Sequence, residues 1–170
     1  VLVLGFFSTQ GIVGVYQIAW TVSKTFDLLP KAISSNMFPE ASKLAETDDD
    51  QIQALLEESL VYAGYIAIPG TIGAALLGRR ILGIYGPEFQ SGVHVLIVLS
   101  VAVFIRSYEQ QFITIIDSID RPDISFRINI VFVASNIAMN IILIWNYGSI
   151  GAATATLMST MVSFTLAWYY

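Results

Sequence analysis

Long apolar runs alternate with short polar segments along the chain. Residues 128–170 contain no charged side chain, and only the polar turn Asn146-Tyr147-Gly148-Ser149 interrupts them. The hydrocarbon core of a bilayer is roughly 30 Å thick and needs about 20 apolar helical residues to cross it. The pattern therefore predicts two membrane spans, over residues 124–145 and 150–170, joined by a tight turn.

Three further apolar stretches precede these two. They predict spans over residues 12–38, 59–78 and 93–116, and residues 1–7 read as the end of an earlier span. Pro30 predicts a kink or tilt in the first of them, and Pro69-Gly70 a kink in the second. We expect Pro39 to mark the exit of the first span and Arg79-Arg80 to stop the second. The predicted fold class is all-α, a polytopic transmembrane helical bundle of five spans plus the end of a sixth.

The polar segments complete this organisation. Residues 40–58 are acidic and too polar to enter the membrane, and they predict an interfacial loop with a short surface helix over 48–58. Thr47 and Asp50 resemble a capping box, and Ile52, Leu55 and Leu56 are expected to face inward. Residues 81–92 predict a short interfacial stretch that turns at Gly86-Pro87. We expect residues 1–170 to be a single transmembrane domain and a fragment of a longer transporter.

The composition agrees with a membrane protein and excludes several functions. Hydrophobic residues make up 55% of the chain and charged residues 12%, whereas a soluble domain has about 25% charged residues. There is no cysteine, His94 is the single histidine, and the net charge is −5, which argues against binding to nucleic acid. No catalytic motif is present. The sequence predicts no enzyme, no cofactor and no metal site.

Ionisable residues inside the first predicted span form one polar face. Lys24, Asp27 and Lys31 have the spacing i, i+3 and i+7, which places them on the same side of a helix. Such groups are costly in lipid and usually face the protein interior or a hydrated cavity. Two interpretations stay open. The face lines a cavity with cations for an anionic ligand, or Asp27 neutralises both lysines, which snorkel to the interface.

Two other predicted spans carry polar faces. These are formed by Arg106, Glu109 and Gln110, and by Asn129, Asn136 and Asn140. An ion pair between Arg106 and Glu109 and hydrogen bonds from the asparagines across helices are the simpler explanations. Three predicted spans thus carry polar faces, and two carry almost no polar residues. This division is nevertheless expected of a transporter, in which some helices face a cavity and others face lipid.

The last predicted span carries small residues at every fourth position. These are Gly151, Ala155, Ser159, Ser163 and Ala167. Small side chains at this spacing let another helix approach closely in a membrane. The pattern predicts a packing face rather than a binding site.

Several motifs, in this order along the chain, resemble those of the polysaccharide flippases. They are Gly14-Val15-Tyr16 with Ala19, Phe38-Pro39-Glu40-Ala41-Ser42-Lys43-Leu44, Ile81-Leu82-Gly83-Ile84-Tyr85-Gly86-Pro87-Glu88-Phe89, Val95-Leu96-Ile97-Val98-Leu99, Arg121-Pro122, Asn136 with Asn140, and Tyr147-Gly148-Ser149-Ile150-Gly151-Ala152-Ala153-Thr154-Ala155-Thr156. Together they are similar to the C-terminal half of oligosaccharide-lipid flippases in the multidrug/oligosaccharidyl-lipid/polysaccharide exporter superfamily.

The resemblance implies one bundle of a two-bundle exporter in the cytoplasmic membrane, with an N-terminal bundle and membrane lipids as partners. It implies that the full protein moves a polyprenyl-(pyro)phosphate-linked glycan by alternating access and that residues 40–58 lie in the cytoplasm. Lys24, Lys31 and Arg106 would contact phosphate or acidic sugar. Asp27 and Glu109 would tune these cations or bind a coupling ion. Asn136 and Asn140 are the remaining substrate-binding candidates in the cavity.

Two other functions fit the same residues. A multidrug or cation antiporter of the same superfamily would share the fold. A membrane scaffold that does not transport would close its polar faces on each other and leave no cavity between them.

Overall fold

The computed structural model describes residue 5, residues 10–45 and residues 49–170, and this part of the chain is helical apart from short connections. The helices are α1 Gln10–Thr25, α2 Leu28–Leu44, α3 Asp49–Gly83, α4 Val93–Ser118 and α5 Pro122–Tyr169, with a 3-10 helix Pro87–Gly92 before α4. The predicted all-α class is confirmed for the described residues. The span end predicted over residues 1–7, apart from Gly5, and Thr47 of the predicted capping box lie outside them.

Helix α4 is the centre of the bundle and packs against α1, α2, α3 and α5. Its apolar side chains join those of the neighbouring helices in a core. This core consists of Tyr16, Ala19 and Val22 from α1, Ala74 and Leu82 from α3, Val95, Leu96 and Leu99 from α4, and Ile144, Ala152 and Ala153 from α5. Many large apolar side chains outside this core are exposed, as on a bundle whose outer surface meets lipid or another bundle.

Helix α5 is a hairpin. Gly148 has φ 56° and ψ −131°, which interrupts the helix and separates an outgoing half, residues 122–147, from a returning half, residues 149–169. The two halves pack against each other, since Ser159 Oγ lies 3.8 Å from Met139 Sδ. Ile124 near the start of α5 and Ala167 near its end belong to one apolar cluster. The predicted turn and the two helices that it joins are confirmed.

The stripe of small residues on the returning half is also confirmed as a packing face. Gly151, Ala155, Ser159, Ser163 and Ala167 are all buried. Gly151 lies directly against the backbone of Leu143 on the outgoing half, where a larger residue would separate the two helices.

The first predicted span is broken, as Pro30 suggests. Helix α1 ends at Thr25 and α2 begins at Leu28. Pro30 has no N–H to donate to the carbonyl of Phe26, and its ring crowds that carbonyl, so the chain leaves helical geometry one turn upstream. Pro39 does not end the helix, because α2 continues through it to Leu44, and the exit of the span at Pro39 stays a prediction.

Helix α3 joins two segments that are predicted from the sequence as separate elements. The short surface helix expected over residues 48–58 is instead the first part of α3, which runs from Asp49 through Pro69 to Gly83. Arg79-Arg80 does not end this helix, and the end of the membrane span at this pair stays a prediction. Arginine is a good helix former, so a charged pair marks where a helix reaches water rather than where it ends. Ile52 is buried as expected, and Leu55 and Leu56 are half-buried.

Three described helical segments are long and apolar enough to cross a membrane, Asp50–Gly83, Pro87–Ser118 and Pro122–Tyr169. The third is the hairpin and contains both of the last predicted spans. Helices α1 and α2 have 16 and 17 residues. Each is shorter than a full crossing of about 20 residues, so the count of five spans stays a prediction.

Candidate functional site

A cavity of about 400 Å³ opens between α1, α2, α4 and α5. Charged and amide side chains from two regions meet there: Lys24, Asp27 and Lys31 from the break between α1 and α2, and Arg106 and Gln110 from α4. Its remaining lining residues are Trp20, Ala102, Val103, Phe132, Thr156 and Thr160. We call this space the basic cavity. The polar face of the first predicted span therefore shares one space with Arg106 and Gln110 of the second predicted face, whereas Glu109 of that face does not line it.

The break between α1 and α2 is held against α4 by hydrogen bonds. Gln111 is fully buried, and its Nε2 donates to the Pro30 carbonyl at 3.3 Å. Its Oε1 accepts a hydrogen bond of 3.1 Å from Ser34 Oγ. This network fixes the start of α2, from which Asp27 and Lys31 reach the cavity.

Positive charge dominates the basic cavity. Three cations, Lys24, Lys31 and Arg106, face one carboxylate, Asp27, which gives a formal surplus of two positive charges. Asp27 pairs with Lys31 at 2.9 Å between Oδ2 and Nζ. Within the described parts of the chain, neither Lys24 nor Arg106 forms a salt bridge. Asp27 therefore does not neutralise both lysines, as the simpler interpretation required.

Aromatic rings hold the two unpaired cations. Lys24 Nζ lies 5.1 Å from the centroid of the Trp20 ring. Arg106 Cζ lies 4.8 Å from the centroid of the Phe132 ring. A ring face attracts a cation at these distances without cancelling its charge. Both groups stay available to an anion.

A second cavity of about 350 Å³ adjoins the first. Arg106, Gln110 and Phe132 line both. The second cavity adds the carboxylates of Glu109 and Asp117, with Ser125 and Asn129 from the outgoing half of α5. We call it the acidic cavity. Glu109 is 3% exposed and lies near Arg106 and Ser163, but it forms no salt bridge with Arg106.

Comparison with known proteins identifies the family. A family model described as "Lipid II flippase MurJ" matches residues 5–170. The chain belongs to the MurJ family. The resemblance to flippases that the motifs indicate is thereby confirmed, and with its apolar helices this MurJ-family chain is an integral membrane protein.

Two relatives of the MurJ-family chain come from Haloferax volcanii. The "Probable flippase AglR" is 42% identical over 170 residues, and the "Probable low-salt glycan biosynthesis flippase Agl15" is 30% identical over 172 residues. The matches cover 98% and 100% of this chain and 36% of each relative. The chain thus spans about a third of the length of these curated relatives.

A solved structure establishes the MurJ-like fold. "Lipid II flippase MurJ, inward closed conformation" superposes with a TM-score of 0.83 over 98% of this chain and 37% of that chain. The sequence identity is 19%. At this level of sequence identity, the superposition shows that the helices are arranged similarly.

Asn136 and Asn140 lie apart from the other candidates in this MurJ-family chain. Asn140 Nδ2 donates to the carbonyl and to Oδ1 of Asn136, both at 2.8 Å. The two asparagines are half-buried and line neither the basic nor the acidic cavity. Their place in a shared binding cavity, as the sequence predicts it, is therefore not seen within the described residues.

Several residues of the site escape sequence reasoning. Gln111, Thr156 and Thr160 are polar groups of predicted spans, but they carry no charge and fall outside the most polar faces. The sequence does contain a signal for Trp20, because this residue precedes Lys24 by one helical turn and so lies on the same face. It also contains one for Phe132, which shares a face with Asn129 and Asn136.

Proposed function

We propose that this chain is part of a transporter that moves a polyprenyl-phosphate- or pyrophosphate-linked oligosaccharide across the cytoplasmic membrane. One observation carries the proposal: the basic cavity holds two more positive than negative charges, among helices whose outer faces are apolar. Within a membrane, a surplus of charge is costly unless a counter-ion balances it, even in a cavity that is open to water. An anionic headgroup attached to a lipid supplies that counter-ion and keeps its apolar chain in the bilayer.

In this proposal Lys24, Lys31 and Arg106 bind phosphate or acidic sugar. Arg106 offers a planar fork of donors that suits phosphate oxygens, and the lysines add point charges. Asp27 holds Lys31 in place and lowers the surplus, so the headgroup is released as well as captured. The name of one relative from Haloferax volcanii, "Probable low-salt glycan biosynthesis flippase Agl15", supports a glycan as the cargo.

We further propose five membrane crossings: α1 with α2, then α3, α4 and the two halves of α5. This bundle would face an N-terminal bundle in the full protein, with the substrate site between them. Alternating access needs helices that bend. The break between α1 and α2 packs beside Pro69, where we propose that α3 bends, since the Phe26 ring at the break lies against Gly70.

The test is glycan export by the full-length protein in cells. We expect Lys24→Ala, Lys31→Ala and Arg106→Ala each to reduce the transport rate about 10-fold or more, because a hydrogen bond to a charged group contributes about 1.5–3 kcal/mol. Lys43→Ala and Arg127→Ala are matched controls, since both residues are exposed and lie outside the basic cavity. The rate is measured from glycan delivered to the cell surface at equal protein levels. Normal export by all three cavity variants would refute the role of these cations.

A further inference from the structure

Helix α1 carries a row of three side chains that ends in the basic cavity. Tyr16, Trp20 and Lys24 are spaced four residues apart, so each lies one helical turn from the next on the same side of the helix. The rings of Tyr16 and Trp20 are stacked, with centroids 6.5 Å apart and an angle of 11° between their planes. The Lys24 ammonium follows at 5.1 Å from the Trp20 centroid. Trp20 and Lys24 line the basic cavity, whereas Tyr16 does not.

Tyr16 is the fixed end of this row. It is 4% exposed, and its ring belongs to the apolar core together with Ile144 and Ala152 of the α5 hairpin. The hydroxyl of Tyr16 has the side chain of Thr156, on the returning half of α5, as its hydrogen-bonding partner. Thr156 Oγ1 donates its own hydrogen to the Ala152 carbonyl at 3.0 Å, so it accepts the hydrogen of Tyr16. The row therefore connects α1 to the returning half of α5.

The row decides where the Lys24 charge lies. Lys24 is exposed, and its ammonium sits on a flexible stem of four carbons. Asp27 follows three residues later in the wall of the same cavity and is an alternative partner, but its salt bridge is with Lys31. Side chains of a helix lean towards its N-terminus, which is the direction of Trp20 and opposite to that of Asp27. The ring face of Trp20 thus keeps the ammonium away from the carboxylate.

We propose that Tyr16 is a positioning residue for Lys24. Tyr16 lies outside the basic cavity and acts through Trp20: its hydroxyl and its packing in the core fix its own ring, that ring fixes the Trp20 ring, and the Trp20 ring holds the Lys24 ammonium. Since Thr156 belongs to α5, the contact between two helices sets the place of the cation. The use of Lys24 for an anionic headgroup rests on the proposed function, but its position is measured without any substrate.

The experiment records the position of Lys24 by NMR. The lysines of the purified full-length protein are converted to ¹³C-dimethyl-lysines, which keep their positive charge, and the signal that is lost in Lys24→Arg is assigned to Lys24. An aromatic ring shifts the signal of a group above its face upfield. We expect the Lys24 signal to lie upfield of the signal of Lys43, which is exposed at the end of α2. Trp20→Leu should abolish this upfield shift, and Trp20→Phe should retain part of it.

The role of Tyr16 is tested by removing its hydroxyl. Tyr16→Phe keeps the ring, and we expect it to reduce the upfield shift of the Lys24 signal to a value between those of the wild type and Trp20→Leu. Thr156→Val should cause the same reduction. The double variant should add nothing to either change, because both substitutions break one and the same hydrogen bond.

Two matched controls accompany these variants. Tyr62→Phe removes a hydroxyl from an exposed tyrosine of α3, and Thr154→Val removes one that donates to the Ile150 carbonyl outside the basic cavity. Neither should move the Lys24 signal. A Lys24 signal that stays unchanged in Tyr16→Phe and Thr156→Val would overturn the proposal.

A second measurement separates this proposal from the proposed function. It compares the binding of inorganic pyrophosphate to the unmethylated full-length protein in the wild type, Trp20→Leu and Tyr16→Phe. We expect Trp20→Leu to weaken binding about 2- to 5-fold, as the loss of a cation–π contact implies, and Tyr16→Phe to weaken it less. A wild type that binds no pyrophosphate would contradict the proposed function alone, since the NMR signal still decides the position of Lys24. Equal pyrophosphate binding by the wild type and Trp20→Leu would overturn the use of that position for an anion.

Discussion

At the scale of single residues, the site depends on groups that stay unneutralised in an apolar bundle. Lys24 and Arg106 rest on aromatic rings, which attract a cation by their quadrupole and still leave its charge available. Asp27 forms a salt bridge with Lys31 but not with Lys24. This arrangement supports the proposal that the cavity binds an anion.

The amide of Gln111 gives a prediction about stability at this scale. Gln111→Leu keeps the approximate shape but removes the donor to Pro30 O and the acceptor for Ser34 Oγ. We expect the free energy of unfolding to fall by about 1–3 kcal/mol, because buried polar groups lose their partners. The measurement is an SDS unfolding titration of the full-length protein in mixed micelles.

Gln53→Leu is the control for this change. Gln53 is exposed and its Nε2 donates to Glu57, so its replacement should alter the unfolding free energy by less than about 0.5 kcal/mol. Equal effects of the two substitutions would mean that Gln111 does not hold the break between α1 and α2.

At the scale of elements, proline and glycine predicted helix breaks and turns where they constrain the backbone conformation. Pro30 predicted the break between α1 and α2, and the sequence around Gly148 predicted the turn of α5. Charged residues were poor markers of helix ends, since α3 runs through Glu58 and Arg79-Arg80. Charged side chains indicate where the chain contacts water. They do not indicate where a helix ends, because a long helix continues from the membrane into water with the same backbone geometry.

The turn at Gly148 gives a prediction for this scale. Its positive φ with ψ −131° is strained for any residue with a Cβ. We expect Gly148→Ala to lower the free energy of unfolding of the full-length protein by about 1–3 kcal/mol, measured by the same SDS titration. The comparison is Gly73→Ala in α3, where an added Cβ meets nothing within 4 Å. There alanine should be neutral or stabilising by up to about 1 kcal/mol, and the opposite ranking would contradict the hairpin turn.

At the scale of the whole molecule, polar faces from separate helices combine around one cavity. Residue spacing identified the faces at Lys24 and Arg106, but the register between α1 and α4 depends on the packing of apolar residues around Leu96 and Leu99. Only the resemblance to flippases grouped both faces in one cavity. It also grouped Asn136 and Asn140 with the cavity, whereas their amides bond to each other. Spacing along one helix shows which residues share a face, and packing decides what that face meets.

The central claim is that Lys24 and Arg106 face an aqueous chamber in the membrane. The direct measurement is thiol labelling of Lys24→Cys and Arg106→Cys in the full-length protein, freed of any native cysteines, with a membrane-impermeant charged reagent. Ile72→Cys is the control, on an exposed apolar position of α3. We expect the thiols at positions 24 and 106 to react and the thiol at position 72 to stay unlabelled. Two cavity thiols as unreactive as the control would contradict the central claim.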